Sequence, residues 1–218
     1  ACAEVLGLSG PPGPYTPRTG PGAAESLLAS AIQDKIDQCE ARIFTLLGVL
    51  HPDAEIEVIY AGYRDASAQD ALRRKSNALE LLDNLLDRSL KRKLLPLLDD
   101  APRDVKLRAA AEHFALIPSD SVKALLELIR DESAWVRACA IHLAGERPDP
   151  LLVSEVRENL EHGWDVVREA AIVALEKCLP LDQLATAVTR RARDEAAFVQ
   201  RRAKDILAAD AAARASTG

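Results

Sequence analysis

Four basic residues recur along the chain at nearly even spacing: Lys75, Arg108, Arg137 and Arg168. Arg108, Arg137 and Arg168 each follow a Leu or a Val, and Lys75 follows Arg74. A guanidinium presents a planar fork of donors that matches carboxylates and carbonyl oxygens. Two chemistries fit such a series. One is a basic stripe that meets an anionic partner. The other is an internal ladder, in which each cation reaches an acid of its own or a neighbouring turn, such as Asp70, Asp104, Asp131 or Asp165. A residue repeated at one place in successive units belongs first to the stack, so the ladder is the expected role, with Asp104 and Asp131 among its acids.

Other residue types point away from catalysis. The histidines His51, His113, His142 and His162 form no HExxH motif, and none has a His partner one helical turn away. No Gly-rich loop ends in GK[ST], and no GxSxG elbow is present. The cysteines, at 2, 39, 139 and 178, include no CxxC pair. Cys139 and Cys178 fall in apolar helical stretches and read as buried free thiols in a reducing compartment. No catalytic residue, metal or cofactor is assigned.

The elements that hold the series repeat with it. Val136-Arg137, Ala140 and Leu143 form a V-R-x-x-A-x-x-L pattern. Val167-Arg168 with Ala171 and Ala174-Leu175 repeats it downstream, as does Val199-Gln200 with Ala203 and Ile206. Leu107-Arg108 with Ala111 and Phe114, then Arg74-Lys75 with Ala78 and Leu81, carry it upstream. Asp37-Gln38 with Ala41 and Phe44 is a degenerate first copy. Second helices are expected between these anchors, over 54–65, 89–100, 119–131, 150–162 and 181–194. Pro102, Pro118, Pro148, Pro150 and Pro180 punctuate the joints. Each unit is a helix pair of about 30 residues that cannot bury its apolar face alone, so neighbours must stack.

Composition agrees. Hydrophobic residues make up 48% of the 218, but aromatics only 4%, so Ala and Leu carry the helices. The expected fold is all-α, a right-handed α-solenoid of about five to six helical hairpins. Residues 1–22 read as a Gly/Pro-rich arm, 23–209 as the repeat domain and 210–218 as an Ala-rich tail, with a first helix over 23–50. No apolar run is long enough to span a membrane. The chain contains no Met, which suggests an excised fragment. A net charge of −6 argues against phosphate-driven nucleic-acid binding.

The acid-rich turn followed by V-R-x-x-A-x-x-L resembles HEAT repeats of the short, bacterial, phycobilin-lyase-like kind. The first half, with ARIFTLLGVLHP (41–52), IYAGYRD (59–65) and RRKSNALELLDNLLDRSLKRKLLPLLDD (73–100), is similar to the cytosolic HEAT region attached to bacterial nucleotide (ATP/ADP) translocase-type major-facilitator proteins. The resemblance implies a non-catalytic scaffold that binds a protein partner or an adjoining domain of its own polypeptide. It also implies a cytoplasmic location, at the inner face of the membrane if tethered. HEAT-type metal hydroxylases carry His-Glu after the anchor, whereas here the order is Glu112-His113 and Glu161-His162.

In such solenoids the second helices line the inner face, which puts Tyr60, Tyr63, Lys123, Glu127, Arg130, Glu155, Glu158 and Arg190 forward for partner binding. Trp135, Trp164 and Phe198 are expected to be buried between repeats. The alternative function, nucleic-acid binding, would use the C-terminal bases Arg190, Arg191, Arg193, Arg201, Arg202 and Lys204, or the cluster Arg88, Lys91, Arg92 and Lys93.

Overall fold

The computed structural model describes residues 22–64, 70–113 and 120–217. The arm up to residue 21 and the anchor residue Phe114 lie outside them. The described residues are all-α and form helices α1 (Ala23–Leu50), α2 (Ile56–Arg64), α3 (Ala71–Leu85), α4 (Arg88–Leu98), α5 (Arg103–Ala111), α6 (Ser121–Ile129), α7 (Ala134–Glu146), α8 (Pro150–Glu158), α9 (Asp165–Cys178), α10 (Leu181–Val188) and α11 (Ala197–Thr217). Short 3-10 turns, Asn159–Glu161 and Thr189–Arg193, extend α8 and α10. Helical hairpins in series of this kind are the building blocks of the α-solenoid class.

Local chemistry sets the helix starts. The Asp87 side chain accepts from the Ser89 and Leu90 N–H groups, and Asp120 from Lys123 N–H. Ser133 caps α7, and Asp149 caps α8 with Pro150 at its first position. Such caps satisfy amides that have no acceptor inside the helix.

The chain divides into two compact units: Ala1–Lys35 with Ser119–Gly218, and Ile36–Pro118. In the first, α6 to α11 stack around Leu125, Ile129, Val136, Ile141, Val167, Ile172, Leu175, Val188 and Val199. The anchor residues Val136, Val167 and Val199, with Ala140, Ala171 and Ala203, are all buried. Small Ala at that place lets helices approach closely. Gly145 takes this furthest: a Cβ there would lie 2.7 Å from Ala174 Cα on α9.

The second unit has its own core, of Phe44, Leu47, Ile56, Ile59, Tyr63, Ala78, Leu82, Leu86 and Leu98. The upstream register needs correction here. Leu82, not Leu81, is buried with Ala78, and Leu81 faces solvent.

Two further findings depart from the expected organisation. The start of α1 supplies Ala24, Leu28 and Ala31 to the core of the first unit, beside residues about 100 positions later in the chain. Polar contacts reinforce this packing: Lys35 Nζ lies 2.7 Å from the Asp131 carboxylate, and Arg147 lies 2.6 Å from Glu25. Ala24, Leu28 and Ala31 thereby share one apolar cluster with residues of α6 and α7. At the other end, α11 does not stop near 209 but runs through the Ala-rich segment to Thr217. Strong helix propensity carries it on, and an ion pair of Arg214 with buried Asp210 ties its last turns.

Candidate interaction surface

The turn before each anchor helix of the C-terminal repeats has one construction. Five residues before Val136, Val167 and Val199 stand Asp131, His162 and Asp194. Each uses its side chain to accept the N–H two residues on: Asp131 from Ser133 at 2.8 Å, His162 Nδ1 from Trp164 at 3.1 Å, and Asp194 from Ala196 at 3.0 Å. The backbone carbonyls of the same three residues accept from the residue after the anchor. Arg137 Nε donates to Asp131 O, Arg168 Nη1 to His162 O and Gln200 Nε2 to Asp194 O. Gln200 therefore occupies the arginine position without its charge.

Beyond this common bond the rungs differ. Arg137 also donates to the Arg130 carbonyl and to the Asn159 side chain of the next turn. The expected carboxylate contact of Arg137 with Asp131 is absent, because that carboxylate is held by Lys35 and Ser133 N–H. Arg168 reaches instead into the following repeat and grips Asp194 through two parallel bonds of 2.8 and 2.7 Å. Both side chains of this pair are buried. Burial alone would raise the Asp194 pKa. The hydrogen bonds from Arg168 and Ala196 N–H, with the charges of Arg168 and Arg191, outweigh it and hold the carboxyl below its ordinary range. Asp165, suggested as a ladder acid, accepts Val166 N–H at the start of α9.

In the other unit the series is weaker. Lys75 bridges to Asp100 at 2.5 Å and sits over the Tyr63 ring. Arg108 pairs with Asp104 one helical turn away, fully in solvent, a contact of little energetic weight.

The residues put forward for partner binding separate into two groups. Tyr63 is buried, and its hydroxyl donates to Glu40 and is also within hydrogen-bonding distance of the Leu98 carbonyl, so it belongs to the core. Burial and the neighbouring Glu40 push its pKa upward. Glu155 is also buried and takes an ion pair from Arg130, linking α8 to the end of α6. Lys123, Glu127, Arg130, Glu158 and Arg190 are exposed, and Tyr60 is half-buried against Phe44. Lys123 leans on the helix-capping Asp120, and Glu127 also has a partner.

The aromatic residues overturn their expected burial. Trp135, Trp164 and Phe198 are 48%, 44% and 43% exposed. Trp135 and Phe198 each occupy the second position of their anchor helices, α7 and α11, and Trp164 is the residue before α9. For Trp135 and Phe198 the buried stripe passes through the anchor one residue on, which turns these rings outward, whereas Trp164 stands three residues before Val167, at the N-cap of α9. Trp164 stacks beside His162, with ring centroids 4.9 Å apart. Phe198 borders a groove of about 650 Å³ whose apolar lining includes Leu179, Leu181 and Ile206. A signal for this display existed in the sequence for two of them: Trp135 and Phe198 lie off the V-x-x-x-A-x-x-L stripe, and Trp164 does not.

Among the described residues, no cluster of His, Cys, Asp or Glu is placed to hold a metal ion. Cys139 is buried and its thiol pKa is pushed up to about 12, first by desolvation and then by Asp34, so it stays protonated. Cys178 is half-buried and Cys39 is exposed. The C-terminal basic cluster is divided: Arg191 is engaged by Glu161 and Asp194, and Arg202 by Glu176. No described helix is long and apolar enough to cross a membrane.

Residues 92–176 match the family model of HEAT repeats, a span running from α4 into α9. The match supports a HEAT-repeat protein, a class that commonly serves as interaction scaffolds. Comparison with curated proteins returns no match.

Proposed function

We propose that the chain is a non-catalytic HEAT-repeat scaffold that recognises a protein partner through a preformed surface. One observation carries this reading: three successive repeats each hold a large aromatic side chain outward at the start of the anchor helix. The turn bonds of Arg137, Arg168 and Gln200 fix the backbone at those starts. Half-exposed Trp and Phe on a rigid frame are typical anchors of protein interfaces, because they bury much area with little loss of side-chain freedom. The exposed charges Lys123, Glu127, Arg130, Glu158 and Arg190 would act as a polar rim of mixed sign.

The test compares immobilised wild-type chain with a Trp135→Ser, Trp164→Ser, Phe198→Ser variant of unchanged melting temperature. A protein retained by the first and lost from the second, identified by mass spectrometry, supports the reading. Retention of nucleic acid instead, with affinity falling steeply with salt and abolished by neutralising Arg190, Arg191, Arg201 and Arg202, would favour the alternative.

We further propose that the scaffold is a cytoplasmic module of a larger bacterial polypeptide of the transporter type. The likeness of residues 41–100 to translocase-attached regions is the support. Twelve apolar spans encoded upstream of residue 1 would bear it out, and their absence would refute it.

A further inference from the structure

The unit formed by Ile36–Pro118 carries an apolar face that its own core does not use. Two adjoining grooves, of about 560 and 390 Å³, share Ala54, Glu55 and Val58 in their walls. One lies along α1 and α2 and the other along α2 and α3. Val49 (75% exposed), Val58 (63%) and Leu81 (53%) stand in these walls, beside Pro52. Phe44, Ile56 and Ile59 form the buried floor. Large aliphatic side chains this exposed, and contiguous, mark a binding surface more often than a bare one.

The charge of the walls is one-sided. Glu55 and Glu57 are the charged residues lining the two grooves, and no Lys or Arg lines either. Asp53 adds a third exposed acid at the same end of α2. Among the described residues, none of the three carboxylates has an ion-pair or hydrogen-bond partner. Acids at a helix start are favoured by the helix dipole, which accounts for their presence but leaves their outer oxygens free. The described residues offer no strand edge for an extended peptide, and grooves between helices suit the ridges of another helix.

We propose that this acid-rimmed groove on α2 binds an amphipathic helix of a partner protein. Its apolar side chains at i, i+3, i+4 and i+7 seat on Val49, Val58 and Leu81. Its flanking Lys or Arg side chains pair with Glu55 and Glu57. The inference rests on the interaction-scaffold reading and adds to it the chemistry of the partner.

The test uses the full chain and three labelled synthetic peptides, followed by fluorescence anisotropy. The first is a Leu/Lys peptide patterned as an amphipathic helix, the second has the same composition scrambled, and the third carries Glu in place of Lys. The patterned basic peptide is expected to bind at least about tenfold more tightly than either of the others. Val58→Asp with Leu81→Asp, both in solvent, should weaken it by about tenfold or more at unchanged melting temperature. Glu55→Lys with Glu57→Lys should shift the preference to the acidic peptide, which keeps the test open if the first variant misfolds. Equal binding of the scrambled peptide, or indifference to both variants, overturns the proposal. So does a dimer in light scattering that Val58→Asp with Leu81→Asp dissociates, since a second copy would then be the occupant. Failure here while the aromatic triple variant still loses its partner would sink the groove alone and leave the scaffold reading intact.

Discussion

Arg137 and Arg168 occupy one place in the repeat yet are not equivalent side chains. Arg137 is a half-buried strut that donates to two carbonyls and one amide oxygen. Removing it forfeits charge-assisted hydrogen bonds, and Arg137→Ala should cost about 1–3 kcal/mol. Arg168 neutralises a carboxylate that is itself buried. Arg168→Ala leaves that charge only Arg191 and the Ala196 N–H as partners and should cost up to about 3–5 kcal/mol, the larger of the two losses by thermal or urea unfolding. An equal effect of the two substitutions would contradict the distinction. His162 gives the turn a pH response. Its Nδ1 must be unprotonated to accept Trp164 N–H, and burial, then Arg137 and Arg168, lower its pKa from 6.5. A depressed folded-state pKa means that the unfolded chain binds the proton more tightly. The His162 contribution is therefore complete above pH 6.5 and declines as pH falls below it, through the folded value. Melting temperature should drop over that window, and His162→Asn, which keeps an acceptor, should flatten the drop. Asp194 acts in the same sense at more acid pH, losing its contribution as pH falls below 3.8.

At the scale of the helix, one close approach is made by a residue with no side chain. Gly145 on α7 meets Ala174 on α9, and an added methyl would collide with both Cα and Cβ of that alanine. Both partners are held by backbone, so the collision has no flexible side chain to relieve it. Gly145→Ala should destabilise the chain by about 1–3 kcal/mol, despite the better helix propensity of Ala, as measured by denaturant unfolding. Much at this scale was legible from the residues alone. The V-x-x-x-A-x-x-L stripe identifies α7, α9 and α11 because its period is that of the buried face. Proline and Asp caps locate α4, α6, α8 and α10 to within a few residues. The stripe also placed Leu81 inward where Leu82 is buried, since two adjacent leucines leave the phase open. Trp135 and Phe198 are hard to place for a related reason: size and hydrophobicity argue for burial, and only their phase argues against it, whereas Trp164 is in phase with Val167 and exposed at the N-cap. Asp194 as the partner of Arg168 was hidden because the bond crosses to the next repeat, whereas Asp165 is nearer in sequence.

At the scale of the whole chain, the two units draw on one continuous helix for different cores. Ala24, Leu28 and Ala31 of α1 pack with the C-terminal repeats, and Phe44 and Leu47 with the other unit. No local pattern distinguishes these stripes, because both are apolar residues at helical spacing, and which core each joins is a tertiary choice. Leu28 is fully buried, and Leu28→Ala should cost about 2–5 kcal/mol. Hydrogen exchange should then quicken across α6 and α7 more than across α2 and α3, and a uniform change would oppose the division of the core. The same packing has a consequence for biosynthesis. Contacts such as Lys35 with Asp131 and Glu25 with Arg147 join residues separated by 96 and 122 positions. During translation, the first turns of α1 leave the ribosome well before the surface that receives them. At about 5–20 residues per second, that interval lasts on the order of 5–25 s. Through it Leu28 lacks its neighbours from the C-terminal repeats, and the start of α1 stays an exposed apolar segment.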